Sequence, residues 1–352
     1  MGGGICGKDS IEKERHNKQS NLSISNEKQK VNESNNNFIK KEFDKIYKKK
    51  DLSDDYNKSD IFIQGLENIG NSCYMNSFIQ ILLHCPHFLE YLKQEEKLMS
   101  MSNKSLVKYL IRLSEEYNKN YMVEIRKIME GYYNDFSENK QCDSQDFGNK
   151  LIDRIIKEIK CQNDSSSYTS KSSKINYLDK YFKEEIRLEK LFTLIEKSNN
   201  INSNFENIII SISYEINLNF TEIKNNRKYN LVDLLNSYYI NKKIVKCPKI
   251  LIITIERAFL NEGYNTKNLK YPHKLNMGKY YEKNKDKEYI LFALNKKSGD
   301  SKDFGHYFCN INIKDSWYTF SDDKVTKQEQ ENIPGVIVGF FYYSSTVSIY
   351  FS

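Results

Sequence analysis

Apolar positions are scarce and aperiodic from Lys8 to Asp60, where Lys, Asn, Ser, Glu and Asp dominate. Such a stretch cannot bury enough apolar surface to offset the entropy of ordering, so residues 1–60 are predicted to form a disordered arm. Regular spacing starts at Ile61-Phe62-Ile63, and a folded domain is expected over 61–352. Cys73 to Leu83 carries apolar residues at helical spacing, with Asn71 and Ser72 as candidate caps. Leu106 to Glu130 continues helical patterning, and in Ser144 to Lys160 the residues Phe147, Leu151, Ile155 and Ile159 share one helix face. Cys161 to Lys174 is polar and Ser-rich and reads as a loop. After Asn207 the period shortens. Ile208 to Ile212, Ile250 to Ile255, Tyr289 to Leu294, Tyr307 to Ile313, Trp317 to Phe320 and Val336 to Tyr343 read as strands, with a short helix over Asn230 to Ile240. Helices first and strands second predict an α+β domain, a sheet packed on a helical lobe.

Composition narrows this picture. With 39% hydrophobic residues, including 19 Phe and 26 Tyr, the 352-residue chain can build a sizeable core. No run of 18 apolar residues exists, so no membrane-spanning helix is expected. The +7 charge, from 54 Lys+Arg against 47 Asp+Glu, is mild and argues against nucleic acid as the main partner. The 7 Cys form no Cys-x-x-Cys pair, which argues against a disulfide framework and a tetrathiolate zinc site, and points to a reducing, cytoplasmic setting. Met1-Gly2-Gly3-Gly4-Ile5-Cys6 offers Gly2 for myristoylation, although Cys6 stands where the usual pattern has Ser or Thr. Cys6 could itself take a palmitoyl chain, and two acyl chains would hold the protein at a membrane surface. The alternative is a plain flexible tail.

Nucleophilic chemistry has one strong candidate. Cys73 opens a helix, where partial positive charge and free N–H groups favour the thiolate. Cys85 lies further along the same apolar stretch and reads as core, while Cys142, Cys161, Cys247 and Cys309 lack a comparable setting. A thiolate needs a base and an oxyanion site. Of His16, His84, His87, His273 and His306, the last lies in Gly305-His306-Tyr307 between a polar loop (Lys296 to Phe304) and a strand. Gly305 would let a substrate backbone pass close to the imidazole.

Gly65-Leu66-Glu67-Asn68-Ile69-Gly70-Asn71-Ser72-Cys73-Tyr74-Met75-Asn76-Ser77, with Gln80 shortly after, strongly resembles the cysteine box of the ubiquitin-specific proteases. Gln141-Cys142-Asp143-Ser144-Gln145-Asp146-Phe147 resembles that family's Gln-Gln-Asp-Ala-Gln-Glu-Phe segment. Pro248 to Phe259 is similar to its Pro-x-x-Leu-x-x-x-Leu-x-Arg-Phe strand, with Ala258 interposed before the Phe. Gly305-His306-Tyr307 and Trp317 to Val325 resemble the histidine box, and Val338 to Tyr342 the closing strand. The resemblance spans about residues 61 to 345.

It implies a papain-like cysteine peptidase with a helical thumb and a β-rich palm, a monomer without cofactor whose partners are ubiquitin and ubiquitinated proteins. Cys73 would attack the carbonyl of the ubiquitin C-terminal glycine, His306 would carry the proton, and the Asn68 amide would face the oxyanion. Where the family usually has Asp or Asn to support the histidine, this chain has Ser321, followed by Asp322 and Asp323. Ser321 is expected to orient His306, with Asp322 as a substitute or further partner. Gln141, Asp143, Asp146, Gly305 and Tyr307 fall at substrate-side positions. Asp143 and Asp146 equally suit helix capping without a ligand. Between Cys161 and Cys247 there is no cysteine, which implies a shortened, zinc-free fingers region. Two other functions fit the same motifs, a weak or inactive ubiquitin-binding relative and a protease for another ubiquitin-like modifier.

Overall fold

The computed structural model describes residues 63–85, 87–98, 104–137, 140–164, 187–199, 208–219, 230–259, 263–264, 269–283, 286–299, 304–328 and 336–343. They belong to one unit built from Lys58–Ser173 and Glu184–Ser352. The expected disordered arm, with Gly2 and Cys6, lies outside the described residues, as does most of the expected loop up to Lys174.

The N-terminal half is helical: α1 Cys73–Leu83, α2 Phe88–Leu98, α3 Leu106–Glu115, α4 Lys119–Tyr132, α5 Ser144–Asp164 and α6 Arg187–Phe192. The patterning over Leu106 to Glu130 resolves into two helices. Glu116 and Asn118 are extended, and the Asn118 side chain accepts from the Asn120 N–H to start α4 afresh. Ser105 caps α3 in the same way through the Lys108 N–H. Helix α5 runs on to Asp164, past the point where polar composition suggested a loop.

The C-terminal half supplies β1 Leu194–Asn199, β2 Ile208–Ser213, β3 Glu215–Asn219, helix α7 Leu231–Tyr238, and β4 Lys242–Lys246. It continues through β5 Ile250–Glu256, β6 Ala258–Phe259, β7 Gly263–Tyr264, β8 Lys274–Asn276, β9 Glu288–Ser298, β10 His306–Ile313, β11 Ser316–Ser321, β12 Lys324–Gln328 and β13 Val336–Tyr343. The main sheet has the order β12-β11-β10-β9-β13-β5-β3, with β8 also pairing β9. It is antiparallel except where β3 lies parallel to β5. A separate sheet has the order β2-β1-β4.

Both faces of the main sheet are covered, and β5 records this in its residues. Ile250 and Ile252 enter the helical core, while Leu251, Ile253 and Ile255 enter a second core with Leu231, Leu234 and Leu235 of α7. A strand buried on both sides is apolar at nearly every position, which is why this segment lacks alternation, and its buried Thr254 donates to the Glu215 carboxylate. Strand β9 extends to Ser298, so Lys296 and Lys297, expected in a loop, pair with Phe308 and Tyr307.

The helical core closes around α1, where every residue from Cys73 to Leu82 is buried. Phe147 of α5 locks onto it, its ring 5.5 Å from Tyr74 and 5.3 Å from Phe136, both edge-on. Such aromatic clusters resist collapse when one ring is deleted. Phe147→Ala is therefore expected to lower unfolding stability by about 3–5 kcal/mol in a urea titration, with an unchanged slope.

Candidate active site

The backbone before α1 is built to hold a cysteine at the helix start. Residues Gly70 and Asn71 turn with φ of 93° and 46°, so the chain reverses just before Ser72. Arg126 of α4, buried, donates to the carbonyls of Ile69 (2.9 Å) and Gly70 (2.6 Å) and pins this turn from behind. Ser72 does not cap the helix with its side chain. Its hydroxyl instead accepts from the Ile69 N–H (2.9 Å) and donates to Asn68 Oδ1 (3.2 Å). Asn68 Oδ1 also accepts from the Gly70 and Ser72 N–H groups. The amide is thereby oriented, with Nδ2 turned outward to Asp322 Oδ2 at 2.9 Å.

Asp322 sits in the β11–β12 turn with φ 52°. Its second carboxylate oxygen accepts from Asn76 Nδ2 of α1 (2.7 Å), and its carbonyl accepts from the Leu66 N–H (2.8 Å). Gly65 is obligatory beside this staple, because a Cβ there would lie 2.4 Å from the Asp323 carbonyl carbon. The expectation that Asp322 substitutes at His306 is corrected by this geometry, since both of its carboxylate oxygens are held by asparagine amides. Ser321 is the residue on the imidazole, with Oγ 2.8 Å from His306 Nε2. A neutral ring donating Nε2–H to Ser321 keeps its lone pair on Nδ1, as a general base requires.

Cys73 is 4% exposed. Burial pushes its thiol above the ordinary range. The Tyr307 backbone N–H opposes that shift, and the Asp322 charge reinforces it. The helix-start argument for a thiolate is thus outweighed by desolvation in the free protein. Helix α1 packs against β10, which brings the start of the helix near the strand that carries His306 and Tyr307. Among the described residues no hydrogen bond joins Cys73 to His306.

The substrate-side candidates gather at the start of α5, where Gln141, Asp143 and Asp146 are exposed. Asp143 Oδ1 accepts from the N–H groups of Gln145 (2.8 Å) and Asp146 (3.1 Å), which is a helix cap, and Asp146 pairs with Lys150 at 2.8 Å. Tyr307 donates its phenol to Asp143 Oδ2 at 2.9 Å. Gly305 is explained by its own sheet rather than by a substrate, for a Cβ would meet the Ser298 carbonyl at 2.4 Å. His84 is buried against Phe320, and Cys85 is a core residue. Among the described residues no group of three or more His, Cys, Asp or Glu is placed to hold a metal.

Sequence reasoning assigned no role to Asn76, Arg126, Ser77, Ser144 or Asn295. Asn76 lay inside the quoted cysteine box, and Ser144 stood where the resembling segment has Ala, so both carried a signal. Arg126 and Asn295 carried none, because only the fold reveals what they face.

A thiol at the start of a buried helix, packed against a strand that carries an imidazole backed by a third side chain, is the arrangement of a papain-like thiol hydrolase. The family model described as "Ubiquitin carboxyl-terminal hydrolase" matches residues 64–350, and the chain belongs to that family, which makes it a deubiquitinating cysteine protease. "Ubiquitin carboxyl-terminal hydrolase 4" of Arabidopsis thaliana is 22% identical over 320 residues, covering 76% of this chain and 86% of its own length. "Probable ubiquitin carboxyl-terminal hydrolase 16" of Schizosaccharomyces pombe is 22% identical over 298 residues, covering 76% of this chain and 64% of its own length. A chain of the solved SAGA Ubp8/Sgf11/Sus1/Sgf73 DUB module superposes with a TM-score of 0.66 at 19% identity, covering 88% of this chain and 74% of that one. A chain of the SAGA DUB module bound to monoubiquitin gives 0.67 at 17% identity, covering 88% and 75%. These likenesses establish the papain-like α+β fold.

The raised thiol has a measurable consequence. In the free protein the rate of Cys73 alkylation by iodoacetamide is expected to climb steadily as pH rises from 7 through 9. A rate already at its plateau below about pH 7 would show that the thiolate prevails and that burial does not control it.

Proposed function

We propose that this chain hydrolyses the bond after the C-terminal glycine of ubiquitin, with Cys73 as nucleophile, His306 as acid and base, and Ser321 as the residue orienting the imidazole. The thiol proton passes to His306 Nδ1 as sulfur adds to the glycine carbonyl. The C–N bond then breaks, and His306 returns the proton to the departing lysine amine. Water, deprotonated by the same imidazole, releases the glycine carboxylate from the thioester. The developing oxyanion meets the Cys73 backbone N–H and the N–H of Asn68 that Asp322 does not occupy. One such donor is worth about 3 kcal/mol of barrier.

The observation that carries this reading is the pairing of His306 with Ser321 at 2.8 Å on a strand that packs against the helix opened by Cys73. A hydroxyl can accept from the Nε2–H and support this tautomer, but unlike a carboxylate it can also donate, and it stabilises the imidazolium less. Turnover is thus supported, and at a modest rate. Gln141, Asp143 and Asp146 present exposed acidic and amide groups at one helix end, which suits the arginine-bearing tail of ubiquitin.

Ubiquitin bearing a C-terminal electrophile is expected to form one covalent adduct, at Cys73, and none with Cys73→Ala. Wild-type protein that binds the probe without forming the adduct would support the alternative of a non-catalytic binder. The same probe on other ubiquitin-like modifiers reports the substrate class. Ser321→Ala is expected to lower kcat about tenfold or more while the adduct still forms slowly. An unchanged kcat would remove Ser321 from the mechanism.

A further inference from the structure

Two neighbouring residues at the start of α5 touch both halves of the site. Asp143 Oδ2 accepts from the Tyr307 phenol at 2.9 Å, and Tyr307 directly follows His306. Ser144 Oγ donates to the Tyr74 carbonyl at 2.8 Å, and Tyr74 directly follows Cys73. The nucleophile comes from a helix early in the sequence and the base from a strand late in it. Here their immediate successors are gripped by consecutive side chains.

Ser144 is a worked-in polar residue rather than a chance hydroxyl. It is 0% exposed, and its Oγ also accepts from Asn295 Nδ2 at 2.7 Å, with Asn295 on β9 and 1% exposed. Ser77 Oγ of α1 lies 3.2 Å away and donates to the same Tyr74 carbonyl at 3.2 Å. A hydroxyl has one proton to give, and here that proton and an acceptor lone pair are both committed. The bonds run in two directions, to α1 and to β9, so the oxygen cannot shift without breaking one of them. Buried hydrogen bonds of this kind tie together the elements they join. Ser144 replaces an alanine in the segment it resembles, and alanine could make none of these bonds.

We propose that Asp143 and Ser144 form a strut that sets the separation of Cys73 and His306, with Ser144 as a positioning residue. This rests on the thiol-hydrolase reading above. Reacting atoms must approach to about 3–3.5 Å, and an error near 1 Å can cost on the order of a hundredfold in rate, so a strut at this place acts on kcat. Neither Ser144 nor the Tyr307 phenol needs to touch substrate for that effect, and binding is left intact.

The test is steady-state hydrolysis of ubiquitin carrying a C-terminal fluorogenic amide by the full chain, its Ser144→Ala and Tyr307→Phe variants, and the double variant. Iodoacetamide labelling of Cys73 is followed in parallel. Each single variant is expected to lose about tenfold in kcat with labelling unchanged, and Ser144→Ala, which lies away from substrate, to keep KM within about twofold. The double variant is expected to be no slower than the slower single, because either change cuts the same strut. Effects that multiply would overturn the proposal, as would a folded Ser144→Ala protein with wild-type kcat. Should Ser144→Ala fail to fold, Tyr307→Phe, which keeps the packed ring, decides alone: unchanged kcat overturns the strut. A wild-type chain that turns over no ubiquitin amide overturns the hydrolase reading and the strut together, whereas wild-type turnover beside an unaffected variant overturns only the strut.

Discussion

The burial of α1 on every side is the constraint from which the site follows. A helix covered all round must present side chains that are apolar or can bond to their surroundings, and every residue from Cys73 to Leu82 is buried. Its polar members are each tied down. Asn76 donates to the Leu66 and Glu67 carbonyls and to Asp322, Ser77 to the Tyr74 carbonyl, and Gln80 to the Gln64 carbonyl. Cys73, the proposed nucleophile, therefore starts from a rigid seat. The cost of that seat is a desolvated thiol, and the surrounding N–H groups recover only part of it.

Opposite α1, the antiparallel pair β10–β11 makes the base and its support neighbours. His306 begins one strand and Ser321 ends the next, across a tight turn at Lys314 and Asp315. Asp322 follows in the left-handed conformation, which turns its carboxylate away from the imidazole and toward the asparagines of the cysteine segment. One residue of difference along a tight turn thus separates a partner of the base from a staple of the nucleophile loop.

The acidic helix end of α5 serves structure and chemistry together. Asp143 caps its helix and holds Tyr307, yet stays exposed. Capping and ligand contact are compatible uses of one carboxylate, since its two oxygens can serve different partners. The same economy is visible at Glu215, whose carboxylate joins Gln145 of α5 to Thr254 of β5 and whose burial raises its pKa above the usual carboxylate value.

The order of helices and strands and the buried face of α5 were legible in the residues alone. Periodicity is a property of neighbouring positions, and these features depend on nothing more, whereas the choice of Cys73 and His306 as candidates drew on the family resemblance of the motifs around them. What Asp322 does, why Gly305 must be glycine, and how Ser144 meets Tyr74 and Asn295 were decided by the tertiary structure. Each depends on groups far apart in the chain, such as Asn76 with Asp322 and Ser144 with Asn295, and on turn geometry that sends a side chain to one neighbour rather than another. The state of the thiol was decided there as well. Helix position argues for a thiolate from sequence, but desolvation is a property of everything packed around Cys73, and it is the larger effect.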